Sequence, residues 1–508
     1  MALSCTYTEE RNRVFDEEGT KYPAKALVDM ELVPGYDRTR AHLLPYIRMI
    51  NEAHLVMLWE QGIVQEKDAA QIMRVIGEID DGAYAVSEYD GHYEDLYFKM
   101  EAEIVGRTEG IGSNLHLARS RNDMCVAWSH LHIRDGILSL IEKLIRLRNT
   151  VYLFAKEHRD TLYVIHTHTQ HAQPGLLGHY FLAAGDMLGR DIERLKHAYC
   201  TANVSAMGAA AVTTSGFPIS RERVCELAGF DSVIENSYDA IGNSDYFTET
   251  AAAIGLCALN LGRVVTDMIL WATEEMKMIR VADGYISTSS IMPQKRNPIA
   301  LEHLRSSLSV TKGIADSVQT GFLKSPYGDI SDYEDIEDIM DQAFTLLTRN
   351  AVMLNSVLAT LEVDRELLRK RAFESFSVVT EIADQMYRTC SIPFRQAHGF
   401  VSFLVKRALA QDYQLINLTE DYFEAAFQDY FKKPFDGDFE AIRESMDPDH
   451  FVKIREATGG TGPRAMEQMI RHAAEKTAAD QSWLEEQKAR LAEADRKRGE
   501  RVGALLAR

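Results

Sequence analysis

The sequence is short of proline, of paired cysteines and of long apolar runs. Only 12 prolines occur among 508 residues, so little in the chain prevents long helices from forming. The six cysteines are scattered without a CxxC pair, which argues against a zinc site or a disulfide framework and favours a reducing cytoplasm. The longest apolar stretches, such as residues 251–262, are shorter than a membrane span. These shortages predict a soluble cytoplasmic protein.

Positive charge is also scarce. The chain has 56 Lys and Arg residues against 76 Asp and Glu residues, which gives a formal net charge of -20. Such a balance repels nucleic acid and anionic membrane surfaces, so we expect neither as a partner. An anionic small molecule must therefore be held by a local cluster of donors that outweighs this field.

Helical periodicity is what the sequence has in abundance. Residues such as Ile137, Ile141 and Leu144 recur at threes and fours, whereas patterns of period two are rare, so we predict an all-α architecture of long helices. Breaks in the pattern divide the chain into residues 1–118, 119–375 and 376–508, and its charged last stretch predicts a solvated terminal helix. Helices in the middle region are apolar on most faces, which predicts a homo-oligomeric bundle.

Three polar stretches interrupt this pattern, and the first is SNLHLARSRND, residues 113–123. Ser120, Arg121 and Asn122 follow one another there. The guanidinium group is a fork-shaped donor suited to a carboxylate, and the two neutral side chains add further donors. The plainer alternative is that Ser120 caps the start of a helix.

The second stretch is HTHTQHAQP, residues 166–174, with three histidines and two glutamines. Its HxH and HxxH spacings resemble metal-ligand patterns, but no carboxylate or cysteine accompanies them. A histidine that works as an acid or base needs no more than an orienting carboxylate. We therefore favour proton transfer over metal binding at this stretch.

The third stretch is TSSIMPQKRNPIALE, residues 288–302. Lys295 and Asn297 are two residues apart, so in a loop both side chains can point into one pocket, and Ser289 and Ser290 precede them. A helix that begins after Pro298 carries Glu302 in its first turn. A polar surface turn and a ligand-binding loop explain this composition about equally well.

The same stretches carry a family resemblance. SSIMPQKRNP with its trailing Glu302 resembles the signature loop SSxMPxKxN of the fumarase/aspartase superfamily. LARSRND resembles the TGRSRND of argininosuccinate lyases, and THTQHAQP resembles their THLQRAQP. GGTGP, residues 459–463, is similar to a GGTAP near the end of that family. The similarity covers nearly the whole chain.

The resemblance implies a fold, an assembly and a reaction. The fold is the fumarase/aspartase-like all-α fold, in which three helical domains with a long central bundle form a homotetramer, and three different subunits build each active site. The reaction is a carbon–nitrogen lyase reaction, in which an N-substituted aspartate undergoes anti-type β-elimination to release fumarate and an amine. It requires no cofactor and no metal.

The resemblance also implies roles for individual residues. Ser289 is the general base, with Ser290 as the alternative, and Lys295 and Asn297 hold the carboxylate that takes up negative charge in the intermediate. His168 protonates the leaving amine, with Glu302 as its orienting partner. The residues that bind the substrate, according to the resemblance, are Ser120, Arg121, Asn122, Thr167, Gln170 and Met292.

Departures from the family pattern bear on the amine. Tyr97 stands where argininosuccinate lyases have a histidine, and Tyr327 matches their tyrosine. Asp332 and Asp335 fall where a glutamine and a lysine are expected to grip the arginine end of the substrate. Replacing a cationic side chain by anionic ones favours a substrate whose amine part is positively charged. An example is a diamine-derived aminopolycarboxylate of the ethylenediamine-disuccinate type. The alternatives are argininosuccinate lyase itself and a non-catalytic, crystallin-like family member.

Overall fold

A computed structural model describes residues 6–329 and 331–507. Most of these residues are helical, so the predicted all-α fold is confirmed. The α-helices, in chain order, are Tyr7–Glu18 (α1), Lys25–Leu27 (α2), Val33–Arg38 (α3), Leu44–Glu60 (α4), Glu66–Glu78 (α5), Asp81–Ala85 (α6), Leu96–Arg107 (α7), Arg121–Glu157 (α8), Leu177–Ala202 (α9), Arg221–Ala228 (α10), Ser237–Gly242 (α11), Asp245–Trp271 (α12), Ile299–Gly321 (α13), Asp332–Ala359 (α14), Arg365–Glu374 (α15), Val379–Cys390 (α16), Phe394–Ala410 (α17), Glu420–Phe431 (α18), Phe439–Ser445 (α19), Pro448–Lys453 (α20) and Pro463–Leu506 (α21).

Shorter elements connect the helices. Two π-helical turns are Val28–Leu32 and Thr39–Leu43, and the 3-10 turns are Ile111–His116, Asp283–Tyr285, Phe322–Lys324 and Leu415–Asn417. The strands are Leu162–Thr167 (β1), Gln170–Leu176 (β2), Val204–Ser205 (β3), Ser232–Val233 (β4), Ile279–Arg280 (β5), Ser287–Thr288 (β6), Arg296–Asn297 (β7) and Glu362–Val363 (β8). They pair as β1 with β2, β3 with β4, β5 with β8, and β6 with β7. All of these pairs are antiparallel except the parallel pair of β3 and β4.

The long helices α8, α9, α12, α13 and α14 form the central bundle. α8 packs against α9 and α14, and α12 packs against α9 and α13. The hairpin of β1 and β2 joins the end of α8 to the start of α9, so these two helices run in opposite directions. α8 has 37 residues and is therefore about 55 Å long. The bundle thus has a hairpin end, and an opposite end where α8 begins.

Two hydrophobic cores meet along α8. One contains residues of the first helices together with Leu131, and the other begins at Ile133 and runs through the bundle into the C-terminal helices. The last helix, α21, returns along α8 and places Leu505 in the first core. One face of α21 is therefore buried, which differs from the solvated helix expected from its charge pattern. The division of the chain into three regions, with boundaries after residues 118 and 375, stays a prediction.

Among the described helices, α12 is the one long and apolar enough to cross a membrane by length and composition. Its most apolar window has a mean hydropathy of 1.5, and 44% of that window is buried within the chain. α12 contacts α9, α13 and α14 along its length. The rest of its surface, which includes Leu256 and Leu259, is exposed in the single chain.

Candidate active site

The first polar stretch forms the start of α8. Ser120 is the N-cap residue, and its hydroxyl accepts a hydrogen bond from the backbone N–H of Asn122. The carboxylate of Asp123 accepts one from the backbone N–H of Ser120. The second oxygen of Asp123 accepts the backbone N–H groups of Gly208 at 2.9 Å and Ala210 at 3.0 Å. The capping alternative is therefore confirmed, and the cap also fixes the loop that follows α9.

Arg121 and Asn122 line a cavity of about 520 Å³ at this end of the bundle. Arg121 forms an ion pair with Asp95, and its guanidinium carbon lies 5.1 Å from the ring centre of Phe98. The amide nitrogen of Asn122 donates to the carbonyl of Ala211 at 3.3 Å. Side chains that were predicted to bind substrate thus face an enclosed space rather than a flat surface.

The wall of this cavity is strongly acidic. Its cationic side chains are Arg38 and Arg121, whereas its acidic ones are Glu31, Glu94, Asp95, Asp329, Glu334, Asp335, Glu337 and Asp338. Burial, together with a hydrogen bond to Glu31, raises the pKa of Glu334 to about 7. Burial also raises the pKa of Glu337, although Arg38 opposes that shift. Crowded carboxyl groups with few counter-charges favour a cationic ligand.

Tyr97 occupies the wall at the position where argininosuccinate lyases have histidine. Its hydroxyl donates to Glu101 at 3.1 Å and accepts from the guanidinium of Arg119 at 3.0 Å. Burial raises the pKa of Tyr97 to about 12, so the phenol stays neutral. The tyrosine is therefore a fixed part of the wall and cannot transfer protons as a histidine does.

Of the three residues predicted to hold the amine, only Asp335 lines the cavity. Tyr327 instead donates its hydroxyl to Asp239 at 2.5 Å and accepts from the hydroxyl of Tyr238 at its carbonyl. Asp332 accepts the hydroxyl of Ser325 at 2.7 Å. Both residues stabilise the turn between α13 and α14, next to the cavity.

The histidine stretch forms the β1–β2 hairpin at the other end of the bundle. Thr167 pairs with Gln170, and the two residues between them, His168 and Thr169, have φ angles of 52° and 61°. Positive φ at both central positions is the pattern of a tight hairpin turn that usually contains Asn-Gly. The imidazole of His168 is exposed at this turn.

Gln170 and Thr169 also line a second cavity, of about 1020 Å³, between the hairpin and α15. The rings of His166 and His171 meet across the hairpin with centres 5.0 Å apart. Burial and the neighbouring His171 lower the pKa of His166, so that ring is neutral near pH 7. His168 is the exposed histidine at the turn itself, and His171 is exposed on the strand that follows.

The serine stretch is a second hairpin, formed by β6 and β7. The hydroxyl of Ser289 accepts the backbone N–H groups of Ile291 at 3.3 Å and Met292 at 3.1 Å. The amide nitrogen of Asn297 donates to the hydroxyl of Ser287 at 3.4 Å. Ser290, Met292 and Lys295 are exposed on the loop. The stretch is therefore an open loop on a short β-ladder.

Glu302 lies in the first turn of α13, which begins directly after Pro298. That placement was predicted from the proline and is confirmed. The carboxylate is exposed, and it is attached to the same helix that follows the serine loop. Its position in the first turn is the favourable one for an anion in the field of the helix.

One chain keeps these groups apart. The serine loop and His168 belong to the hairpin end, whereas Arg121 begins α8 at the opposite end, about 55 Å away along the helix. Among residues 6–329 and 331–507, no hydrogen bond joins the three stretches to one another. A site that uses all three must be completed by further copies of the chain.

Sequence reasoning missed most of the acidic wall. Glu31, Glu334 and Glu337 come from two segments that are some three hundred positions apart, and only the fold brings them together. The acidic run at residues 332–338 was a usable signal. It was interpreted as two substitutions in a family pattern rather than as one face of a cavity.

Family profiles match two parts of the chain. A profile described as Lyase matches residues 52–313, and one described as Argininosuccinate lyase C-terminal matches residues 376–453. Argininosuccinate lyase 2 of Agrobacterium fabrum is 37% identical over 451 residues, which are 88% of this chain and 89% of that protein. Argininosuccinate lyase of Methanocaldococcus jannaschii is 34% identical over 421 residues, which are 82% and 85% of the two chains.

Solved structures give the same grouping. A variant of EDDS lyase with bound fumarate superposes with a TM-score of 0.82 and 28% identity, covering 94% of this chain and 96% of that chain. EDDS lyase in complex with formate has a TM-score of 0.82 and 27% identity, covering 97% and 98%. A class II fumarase from Schistosoma mansoni, at 15% identity and a TM-score of 0.67, shares the fold.

Proposed function

The chain belongs to the argininosuccinate lyase branch of the fumarase/aspartase superfamily, and from that premise we propose that it is a cytoplasmic carbon–nitrogen lyase for an N-substituted aspartate with a cationic amine part. The products are fumarate and the free amine. The observation that carries the choice of amine is the acidic wall of the cavity beside Arg121. The two EDDS lyase structures that the chain resembles support a diamine-derived amine.

The acidic wall favours a second positive charge on the substrate. Arginine carries an α-carboxylate, and in the cavity that carboxylate would approach Glu334 and Asp335. No lysine is among the described residues that line the cavity. Like charges placed next to each other in a binding site cost several kcal/mol of binding free energy. A diamine has no carboxylate there and gains from the same field.

The succinyl part needs the opposite environment. Removal of a proton next to a carboxylate produces a dianionic intermediate, which requires positively charged and hydrogen-bonding groups around it. We assign the proton abstraction to Ser289, charge stabilisation to Lys295 and Asn297, and protonation of the leaving amine to His168 oriented by Glu302. Ser120, Arg121, Asn122, Thr167, Gln170 and Met292 complete the set of groups that bind the substrate.

The separation of these groups within one chain supports a shared site in a homotetramer. We place an antiparallel copy with its hairpin end beside the Arg121 end of the first chain, because that arrangement brings the separated groups together. Leu256, Leu259 and Leu270 on α12 are exposed in the single chain, and an apolar face of this kind is the usual core of a helical subunit interface. Four chains then bury the helices that are apolar on most sides.

Argininosuccinate lyase proper is the second candidate. The relatives at 37% and 34% identity carry that name, and the tyrosine of the family is retained as Tyr327. A non-catalytic, crystallin-like role is the third. Retention of Ser289, His168 and Lys295 together argues against it, because a structural protein has no need of all three.

The disappearance of fumarate, followed by its ultraviolet absorbance, tests these candidates. The protein is incubated with fumarate and, in turn, ethylenediamine, ethylenediamine-monosuccinate, arginine and a monoamine. Loss of fumarate with ethylenediamine and none with arginine is the expected result. Ethylenediamine-monosuccinate carries two carboxylates on its second succinyl group, so repulsion by the acidic wall should make it react more slowly than ethylenediamine. Loss only with arginine would overturn the proposed amine but keep the lyase, and loss with no amine would favour the structural role.

A further inference from the structure

Two histidines and an aspartate meet next to the acidic cavity wall, where Asp341 follows the lining residue Asp338 by one helical turn on α14. We propose that His42, His132 and Asp341 form a binding site for a divalent transition-metal cation of the zinc type. The site lies apart from the serine loop and the histidine hairpin, and it takes no part in the elimination reaction. Nothing in the lyase chemistry requires it, so it stands independently of the proposed function.

The geometry is that of a three-ligand set. The ligand atoms of His42, His132 and Asp341 all lie within 4.8 Å of one another. Nε2 of His132 is 2.6 Å from Oδ1 of Asp341, and the ring centres of the two histidines are 5.5 Å apart. Zinc bonds of about 2.0–2.2 Å place tetrahedral ligands roughly 3.3 Å apart. A cation therefore enters by replacing the hydrogen bond between His132 and Asp341.

The local charge matches a divalent cation. Asp341 lies beside Glu337 and Asp338, and Arg38 is the cation that faces all three, through contacts of its guanidinium with each carboxylate. Three carboxyl groups therefore share one guanidinium, which leaves an excess of acidic groups around the site. The second oxygen of Asp341 is buried, accepts no hydrogen bond, and lies 3.6 Å from Nε of Arg38. A cation with charge +2 balances this excess.

The ligand types select the metal. Two imidazoles and one carboxylate suit zinc, cobalt and nickel, whereas calcium and magnesium prefer sets made only of oxygen. The two histidines supply nitrogen and Asp341 supplies a carboxylate oxygen to this set.

Three separate elements supply the ligands. His42 is on the π-helical turn Thr39–Leu43, a kind of irregularity that is frequent at functional sites, His132 is on α8, and Asp341 is on α14. The segment before His42 contributes Met30, Gly35 and Thr39 to the cavity wall. A cation held by all three elements fastens this wall segment to the bundle and restricts opening of the cavity.

Metal titration tests the site directly. The purified full-length protein is stripped with a chelator and titrated with cobalt chloride, whose visible absorption reports nitrogen and oxygen ligands, and with zinc chloride followed by measurement of bound metal. The expected result is one cation per chain, lost in His42→Ala and in Asp341→Asn. His42 is exposed, so its substitution leaves the fold intact, which circular dichroism verifies.

Matched histidine variants separate this site from other binding. His398→Ala changes an exposed histidine on α17 and is expected to bind one cation as the unsubstituted protein does. His171→Ala removes a histidine of the hairpin and should likewise change nothing. The proposal would be overturned if the unsubstituted protein did not bind one cation per chain. It would also be overturned if His42→Ala bound the cation as before and His171→Ala did not.

Discussion

The two adjacent serines of the exposed loop differ in their surroundings. Ser289 has a hydroxyl that accepts two backbone N–H groups, and such donors stabilise an oxygen that carries negative charge. Ser290 is exposed beside it. The donors favour Ser289 as the residue that reaches the alkoxide state required of a base.

Replacement of the base tests this difference. Ser289→Ala is expected to lower kcat by about 10²- to 10⁴-fold, the usual contribution of general base catalysis, with no change in assembly. Ser290→Ala is the matched control and is expected to keep most of its activity. Steady-state kinetics with size-exclusion chromatography measures both. The reverse order of the two losses would move the base to Ser290.

Glu334 predicts a pH effect on stability. Its pKa in the folded chain is about 7, raised from an ordinary value of 4.5, so between these pH values the unfolded chain loses its proton first. Ionisation then favours unfolding, and the contribution of Glu334 to stability, present below pH 4.5, decreases as the pH rises toward 7. Glu334→Gln is expected to flatten this decline.

Thermal unfolding between pH 4.5 and pH 8 measures the effect. The control is Glu467→Gln, which changes an exposed glutamate on α21, far from the cavity, and should leave the slope unchanged. Equal slopes in Glu334→Gln and in the unsubstituted protein would show that Glu334 does not titrate in this window.

At the scale of elements, the histidine hairpin combines strain with exposure. Its turn places Thr169, a β-branched residue, at a φ of 61°, which costs on the order of 1–3 kcal/mol. A hairpin built for stability alone would carry glycine there. The strain is consistent with a turn whose shape serves the position of His168.

Relief of that strain is measurable. Thr169→Gly is expected to raise the free energy of unfolding by about 1 kcal/mol, because glycine adopts positive φ without a steric penalty. The larger chain entropy that glycine loses on folding offsets only part of this gain. Urea denaturation measures it. Thr167→Gly, in the adjacent strand of the same hairpin, should instead destabilise the protein. A loss of stability in both variants would contradict the assignment of strain to the turn.

The start of α8 gives a second prediction at this scale. Asp123 is fully buried and accepts backbone N–H groups of Ser120, Gly208 and Ala210. Asp123→Ala leaves these donors without a partner and is expected to cost about 1–3 kcal/mol for each buried donor that stays unsatisfied. Thermal unfolding reports the loss, and Asp160→Ala, at an exposed position after α8, is the control. A change as small as that of the control would show that water replaces the carboxylate.

At the scale of the whole molecule, the proposed shared site predicts complementation between inactive chains. Ser289→Ala and Arg121→Ala, which change opposite ends of the bundle, are each expected to disable every site of their own homotetramer. When the two are unfolded and refolded together, mixed tetramers contain sites that take an intact serine loop from one chain and an intact arginine from another. Activity of the mixture above that of either variant is expected. A mixture as inactive as its parts would place both groups on one chain in each site.

The sequence by itself determined the fold class and marked the stretches to which we assign the chemistry. Helical periodicity is local, so it is readable along the chain. The serine loop, the SRND segment and the histidine stretch are each contiguous, because a loop that surrounds a small substrate draws its groups from neighbouring positions. For the same reason the first-turn position of Glu302 was predictable from Pro298 alone.

The tertiary structure decided what depends on distant segments. The acidic cavity combines Glu31 with Glu334, and the proposed metal site combines His42 with Asp341. No local pattern marks these pairs, since the contacts arise only when the segment 28–43 packs against α14. The hairpin was also beyond the sequence, because His168 and Thr169 have no preference for the backbone conformation that the turn imposes on them. Local chemistry is written in contiguous residues, whereas charge balance and cavity shape follow from packing between elements far apart in the chain.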